Sequence, residues 1–180
     1  MNTISKRKKL ELAYKAHVFD VYNDYLELPD GRNVVYDYID HVDGVCVLPV
    51  CEDGDIILVS QYRNVIDRIS FEIPGGSMDA GEEIVESAMR ELKEETGYIA
   101  GRLEYITNTV LAIGSSNEHT AVFIGYDLTK GDTCYDEDEF INVHKLSMEK
   151  IDELIKSGDI VDSKSLIAIY AYKASYKKQA

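Results

Sequence analysis

The chain has 180 residues, with 33 acidic against 19 basic side chains and a net charge of −14 at pH 7. That length makes one domain with a small appendage, and it can bury roughly 70% of the unfolded surface, so no disulfide or zinc staple is required. The charge argues against general nucleic-acid binding, which needs a basic surface, but leaves a phosphate-bearing small molecule open, because metal ions and local arginines can reverse the field inside one pocket.

In chain order, the basic start Lys6-Arg7-Lys8-Lys9 runs into Leu10-Glu11-Leu12 rather than an apolar stretch, so no secretory signal is expected. No stretch approaches the length of a membrane span. His17 to Leu28 and Arg32 to Ile39, rich in Tyr and Val, read as a β-hairpin around Pro29-Asp30-Gly31. Val42 to Val50 and Asp55 to Tyr62 are two further strands around the turn Glu52-Asp53-Gly54. Cys46 lies in an apolar run and reads as a small core residue; with Cys51 and Cys134 it makes an odd set without metal-ligand spacing, and a reducing cytoplasm is the expected setting. Ser70 to Ile73 is a short strand, and Pro74-Gly75-Gly76 is expected to end it in a tight loop.

A helix is expected from near Glu82 to Gly97, with Gly97 as the left-handed cap. Ile84, Ala88 and Leu92 form its apolar stripe, with Val85 beside it. Glu91, Glu94 and Glu95, at i, i+3 and i+4, share one face. Like charges that close repel, and a hard divalent cation converts the cost into binding, because Mg²⁺ prefers carboxylate oxygens and keeps waters and substrate phosphates as its other ligands. Arg90 reaches Glu94 at i, i+4 and can hold it in place. The bland alternative is a solvated acidic face. Gly101 to Ala112 and His119 to Leu128 read as paired strands, Ser147 to Lys156 and Ser163 to Lys178 as closing helices, and the acids at Asp132 and Asp136 to Glu139 as solvated charge.

The order of residues decides between these readings. Gly76, five residues, Glu82, seven residues, then Arg90-Glu91-Leu92-Lys93-Glu94-Glu95-Thr96-Gly97-Tyr98 resembles the Nudix box, the glycine-loop-helix motif of diphosphate hydrolases. Tyr98 alone departs, where the family usually has an aliphatic residue. Gln61-Tyr62-Arg63, Phe71-Glu72-Ile73-Pro74-Gly75-Gly76 and Leu28-Pro29-Asp30-Gly31 resemble the ADP-ribose and nucleoside-diphosphate-sugar pyrophosphatases.

The resemblance implies an α/β fold, the Nudix α/β/α sandwich with a mixed sheet, carrying an N-terminal antiparallel β-hairpin region over 1–41 before the hydrolase domain over 42–180. It implies metal-dependent hydrolysis of a nucleoside diphosphate linked to a second group, giving two monophosphates. Mg²⁺, or Mn²⁺, would sit on Glu91, Glu94, Glu95 and the Gly75 carbonyl, bridge the diphosphate and lower the pKa of a bound water. Arg63 would contact phosphate, as its forked guanidinium suits, with Gly76 in the binding loop. Glu72 either touches substrate or metal or holds that loop. Glu82 and Arg90 would order loop and helix. In the loop Ile113 to His119, Glu118 is the candidate base, ahead of His119. ADP-ribose-specific members usually carry a proline shortly before the loop glycine, where this chain has Ile113-Gly114, which leaves nucleotide sugars and similar diphosphates open as substrates. A small-molecule substrate, no nucleic acid, no membrane and a homodimer built through the N-terminal strands complete the expectation, with Tyr14, Tyr22, Tyr25, Tyr36 and Tyr38 as a stacking surface for a base. The alternatives are a hydrolase of modified nucleoside triphosphates or dinucleoside polyphosphates, an isopentenyl diphosphate isomerase-like enzyme, and a non-catalytic nucleotide sensor.

Overall fold

The structure, a computed structural model describing residues 3–131 and 140–176, begins with a strand that the expected hairpin does not include. This strand, β1 (Lys6–Lys15), pairs antiparallel with β2 (Phe19–Glu27), which pairs with β3 (Asn33–His41). The sequence KRKKLELAYK hides its strand character for two reasons. Its basic residues meet acids across the ladder: Arg7 donates twice to the buried Asp24 at 2.8 Å, and Lys8 pairs with Glu27 at 2.5 Å. Register shifts between Arg7 and Lys9 and between Leu12 and Tyr14 also break the period of two on which strand recognition depends. The turn between β2 and β3 is the expected one, closed by the Gly31 N–H donating to the Leu28 carbonyl at 2.9 Å. These strands, with the segment 110–119, form one compact unit; residues 44–109 and 120–180 form the other.

The second unit is built on β4 (Gly44–Pro49), an unbroken buried apolar strand. It runs parallel to β9 (His119–Lys130) and antiparallel to β7 (Gly75–Ser77), and β8 (Tyr98–Val110) completes the order β7-β4-β9-β8. A separate sheet has the order β10-β5-β6, from β10 (Asn142–Leu146), β5 (Ile56–Arg63) and β6 (Arg68–Glu72). Alternation assigns each face of the four-stranded sheet to its own core. Val45, Val47, Ala121 and Phe123 pack with Ala88 and Leu92 of α1 (Ile84–Thr96). Cys46, Leu48, Val122 and Ile124 pack on the other side with Ile151 and Leu154 of α2 (Met148–Ser157) and Ala168, Ile169 and Tyr172 of α3 (Ser163–Tyr176). A sheet covered by helices on both faces loses its polar side, which is why β4 reads as a continuous apolar run. This is the α/β/α sandwich with a mixed sheet that the sequence implies.

Three expectations are corrected. Gly75-Gly76 does not leave the sheet as a tight loop: Gly75–Ser77 pairs with β4, with Val45 opposite Gly76. Glycines lower strand propensity but do not forbid a ladder when a buried neighbour supplies the partner groups. The apolar stripe of α1 is shorter than the periodicity suggests, since Ala88 and Leu92 are fully buried whereas Ile84 and Val85 are 45% and 54% exposed. Strand β10 was absent from the expected elements because its five residues, NVHKL, carry too little pattern to register. Gly97 does cap α1 in the left-handed region, its N–H donating to the Lys93 carbonyl, and Cys46 is a fully buried core residue as expected. The acids at Asp132 and Asp136 to Glu139, Cys134 and Lys178 lie outside the described residues.

Candidate functional site

Strand β7 lies against both β4 and helix α1, and Gly75 permits the approach to β4 while Gly76 permits that to α1. A Cβ at Gly75 would fall 2.3 Å from the Val45 carbonyl oxygen and 2.7 Å from the Cys46 Cα, both backbone atoms that cannot give way. A Cβ at Gly76 would fall 2.7 Å from both carboxylate oxygens of Glu91. Glu95, 5% exposed, accepts the Gly75 N–H at 2.9 Å, so the helix and the glycine strand share a hydrogen bond as well as a steric fit.

Arg90 organises the carboxylates around this junction. Its Nε and Nη2 donate to the two oxygens of Glu82, each at 2.9 Å, while Nη1 donates to Glu91 at 2.7 Å and to Glu94 at 3.0 Å. Nη2 also donates to the Ser77 carbonyl at 3.2 Å, and Glu82 receives the Asp79 N–H at 3.2 Å. One guanidinium therefore joins β7, the loop after it and one face of α1. The Arg90 pair holds Glu82 down at about 2, against 4.5 for an ordinary glutamate, and Glu82 in turn raises the Arg90 pKa.

Glu91, Glu94 and Glu95 do share one turn, as i, i+3, i+4 spacing dictates, but their environments differ. The Glu94 side chain is 39% exposed and that of Glu91 only 12%, whereas Glu95 is buried on Gly75. Among the described residues no three His, Cys, Asp or Glu side chains are gathered so that together they could hold a metal ion. The donor set nevertheless fits a hard divalent ion. It is all oxygen, three carboxylates lie on one helical turn, and the missing Gly76 side chain lets the Glu91 carboxylate lie against the strand.

Arg63, at the end of β5, forks onto Glu72 at the end of β6, Nε to Oε1 and Nη2 to Oε2, each at 2.8 Å. Lys164 of α3 adds a third donor to Glu72 at 2.9 Å. Burial pushes the Glu72 carboxyl upward, but hydrogen bonds and charge from Arg63 and Lys164 outweigh it and hold the group at about 2. The Arg63 side chain remains 39% exposed, so its outer edge faces solvent while its fork is fixed. Sequence reasoning missed Lys164, since Asp162-Ser163 reads only as a helix start, and nothing local links a lysine to a glutamate 92 residues away.

Glu118 belongs to the first unit, where the Ser116 hydroxyl accepts its N–H at 3.1 Å. There the Asn117 side chain donates to Asp40 at 2.7 Å and accepts the His41 N–H at 2.9 Å, and Ser115 accepts the Ile39 N–H at 2.7 Å, fixing the loop to the β3 edge. The His119 N–H donates to Asp43 at 3.0 Å. Of the tyrosines, Tyr22 packs edge-on against Tyr38, Tyr25 donates to Glu11, and Tyr14 and Tyr36 are 65% and 54% exposed.

Known proteins share this fold and much of this sequence. A family model described as NUDIX domain matches residues 40–167. The chain is similar to the ADP-ribose pyrophosphatase of Bacillus subtilis (strain 168), 36% identical over 161 residues that cover 88% of this chain and 87% of that one. It is also similar to the methanol dehydrogenase activator of Bacillus methanolicus, 31% identical with 91% and 90% covered. Among solved structures, an ADP compounds hydrolase superposes with a TM-score of 0.87 over 98% of this chain and 96% of that one, at 22% identity, which is a likeness of fold.

Two expectations follow from this geometry. Gly76→Ala should remain folded, because only the end of a flexible side chain must move, yet should weaken Mg²⁺ binding measured by calorimetry at least about 10-fold as Glu91 is displaced. Gly75→Ala should instead lower the thermal midpoint by several degrees or fail to fold. For pH, both Glu72 and Glu82 have folded pKa values depressed from 4.5 to about 2. Their contribution is complete above pH 4.5 and is lost as pH falls through about 2. Melting midpoints followed by circular dichroism should therefore hold above pH 5 and decline below 4.5. Glu72→Gln should flatten that decline, and an unchanged slope would contradict the reading.

Proposed function

The chain belongs to the Nudix hydrolase family, and on that premise we propose that it hydrolyses the diphosphate bond of a nucleoside diphosphate linked to a second group, ADP-ribose or a nucleotide sugar, giving two monophosphates. The observation that carries this reading is the turn of α1 that sets Glu91 and Glu95 against the glycine strand and Glu94 beside them, with Arg90 and the Gly75 N–H ordering the carboxylates. The similarity to an ADP-ribose pyrophosphatase over most of both chains supports the substrate class.

Mg²⁺, with Mn²⁺ as the alternative, would be held by Glu91, Glu94, Glu95 and the Gly75 carbonyl, and when bound it neutralises phosphate charge and acidifies water. The remaining work falls to the chain. Arg63 offers a fixed fork with a solvent-facing edge to a phosphate oxygen, and Glu72 keeps that fork from swinging. Gly76, in the binding segment, lets the Glu91 carboxylate lie where a Cβ would stand. Arg90 and Glu82 hold the loop after β7 against the helix, and Glu118 is the base that takes the proton of the attacking water. Binding is to a small molecule, with no role for nucleic acid on a chain of charge −14. No helix among the described residues is long and apolar enough to cross a membrane. Free thiols at Cys46 and Cys51 support a reducing cytoplasm.

The N-terminal strands are proposed to join two copies, a reading supported by Leu12, Tyr14, Val35 and Tyr36, each half or more exposed on a three-stranded sheet.

Glu95→Gln keeps size but not charge and should lower kcat at least about 100-fold on ADP-ribose or a nucleotide sugar with Mg²⁺ saturating, without unfolding the protein. Chromatography of the products should show two monophosphates. Near-normal turnover in the variant, or pyrophosphate as the product, would overturn the assignment. Sedimentation at micromolar protein should give the mass of two chains, and a monomer mass would remove the dimer from the reading.

A further inference from the structure

The strand that leads into the glycine segment, β6, is gripped at its end by the first turn of α3. Asp162 Oδ1 accepts the N–H of Lys164 at 3.0 Å and of Ser165 at 3.2 Å, capping the helix. That cap aims two side chains at β6. Lys164 Nζ donates to Glu72 Oε2 at 2.9 Å and to Asp162 Oδ1 at 3.1 Å. The fully buried Ser165 Oγ accepts the N–H of Ile73, the next residue, at 2.8 Å. Beyond Ile73, the Pro74 carbonyl accepts the Val47 N–H at 3.0 Å and the Gly75 N–H donates to Glu95 at 2.9 Å. From Glu72 to Gly75 a polar group of every residue thus has a fixed partner, and two of those partners come from α3.

Lys164 is an unusual choice for a purely structural contact. Its side chain is 18% exposed, and a buried ammonium is tolerated only beside anions. Burial pushes it toward neutrality, while Asp162 and Glu72 more than compensate and keep it charged. Glu72 then holds two cations, Arg63 on its solvent side and Lys164 on its inner side. We propose that Lys164 and Ser165 are positioning residues for the hydrolysis: through Glu72 and Ile73 they set the Arg63 fork and the register of Gly75 against Glu95, and so the spacing between the phosphate-binding and metal-binding groups. The inference rests on the reading given under Proposed function that Arg63, Gly75 and Glu95 meet the diphosphate and its metal.

Lys164→Met removes the charge at similar length, Lys164→Arg keeps it, and Ser165→Ala removes the acceptor. Amide hydrogen exchange of the full chain, without substrate, reads the clamp independently of catalysis. Exchange over residues 72–76 should quicken at least about 10-fold in Lys164→Met and Ser165→Ala, while the α1 interior stays protected. With substrate and Mg²⁺, Lys164→Met should lower kcat/KM at least about 10-fold and raise the Mg²⁺ needed for half-activity, with substantial recovery in Lys164→Arg. In a Glu72→Gln background Lys164→Met should add little further loss, because the two act as one unit. Unchanged exchange, or losses that simply multiply in the double variant, would overturn the clamp. Altered exchange in a protein that cleaves none of the diphosphates would instead leave the clamp standing and refute the proposed reaction.

Discussion

A carboxylate taken out of water persists only where donors replace the hydration it loses. Glu95, nearly buried on α1, accepts the N–H of Gly75, and that bond sets where everything else in the site must be. It ties the helix to a strand of the sheet rather than to a loose connection. The fit would fail with any side chain at Gly75, since the Val45 carbonyl occupies the place of a Cβ. Glu91 then lies along Gly76 and Glu94 faces outward, so one turn of helix carries three carboxylates at graded depths.

Repulsion among such carboxylates is offset by Arg90. It contacts Glu82, Glu91 and Glu94 and also the Ser77 carbonyl, so the group that balances the charge also fixes the loop between strand and helix. A second cationic system, Arg63 and Lys164 on Glu72, stands at the other end of the same short run of chain. The acidic helix turn with Arg90 and the pair Arg63 and Lys164 on Glu72 are joined through the short run from Glu72 to Ser77.

The scaffold makes this possible through the alternation of β4. Val45 and Val47 face α1, Cys46 and Leu48 face α2 and α3, and the two cores lock helices to both sides of one sheet. Two helices therefore act on the same short run of chain where it passes from β6 to β7: α1 reaches Gly75, and α3 reaches Glu72 and Ile73.

Much of this is legible in the sequence, for identifiable reasons. Glu91, Glu94 and Glu95 must share a helical turn because 3.6 residues per turn requires it, and Gly97 must end that helix because it alone tolerates the left-handed cap. The apolar run Val45 to Val50 declares a strand covered on both faces. Local spacing cannot encode partners distant in the chain. The β7 pairing of two glycines, β1 with its charges neutralised across the ladder, the exposure of Ile84 and Val85, and the Lys164–Glu72 contact all depend on neighbours supplied by folding. The sequence by itself determined the motif and the chemistry its oxygens can perform, because those follow from residue type and helical period. Only the tertiary structure decided which acid is buried, which arginine holds which carboxylate, and which helix grips the residues leading into the glycine strand, because burial and long-range hydrogen bonds are properties of packed surfaces.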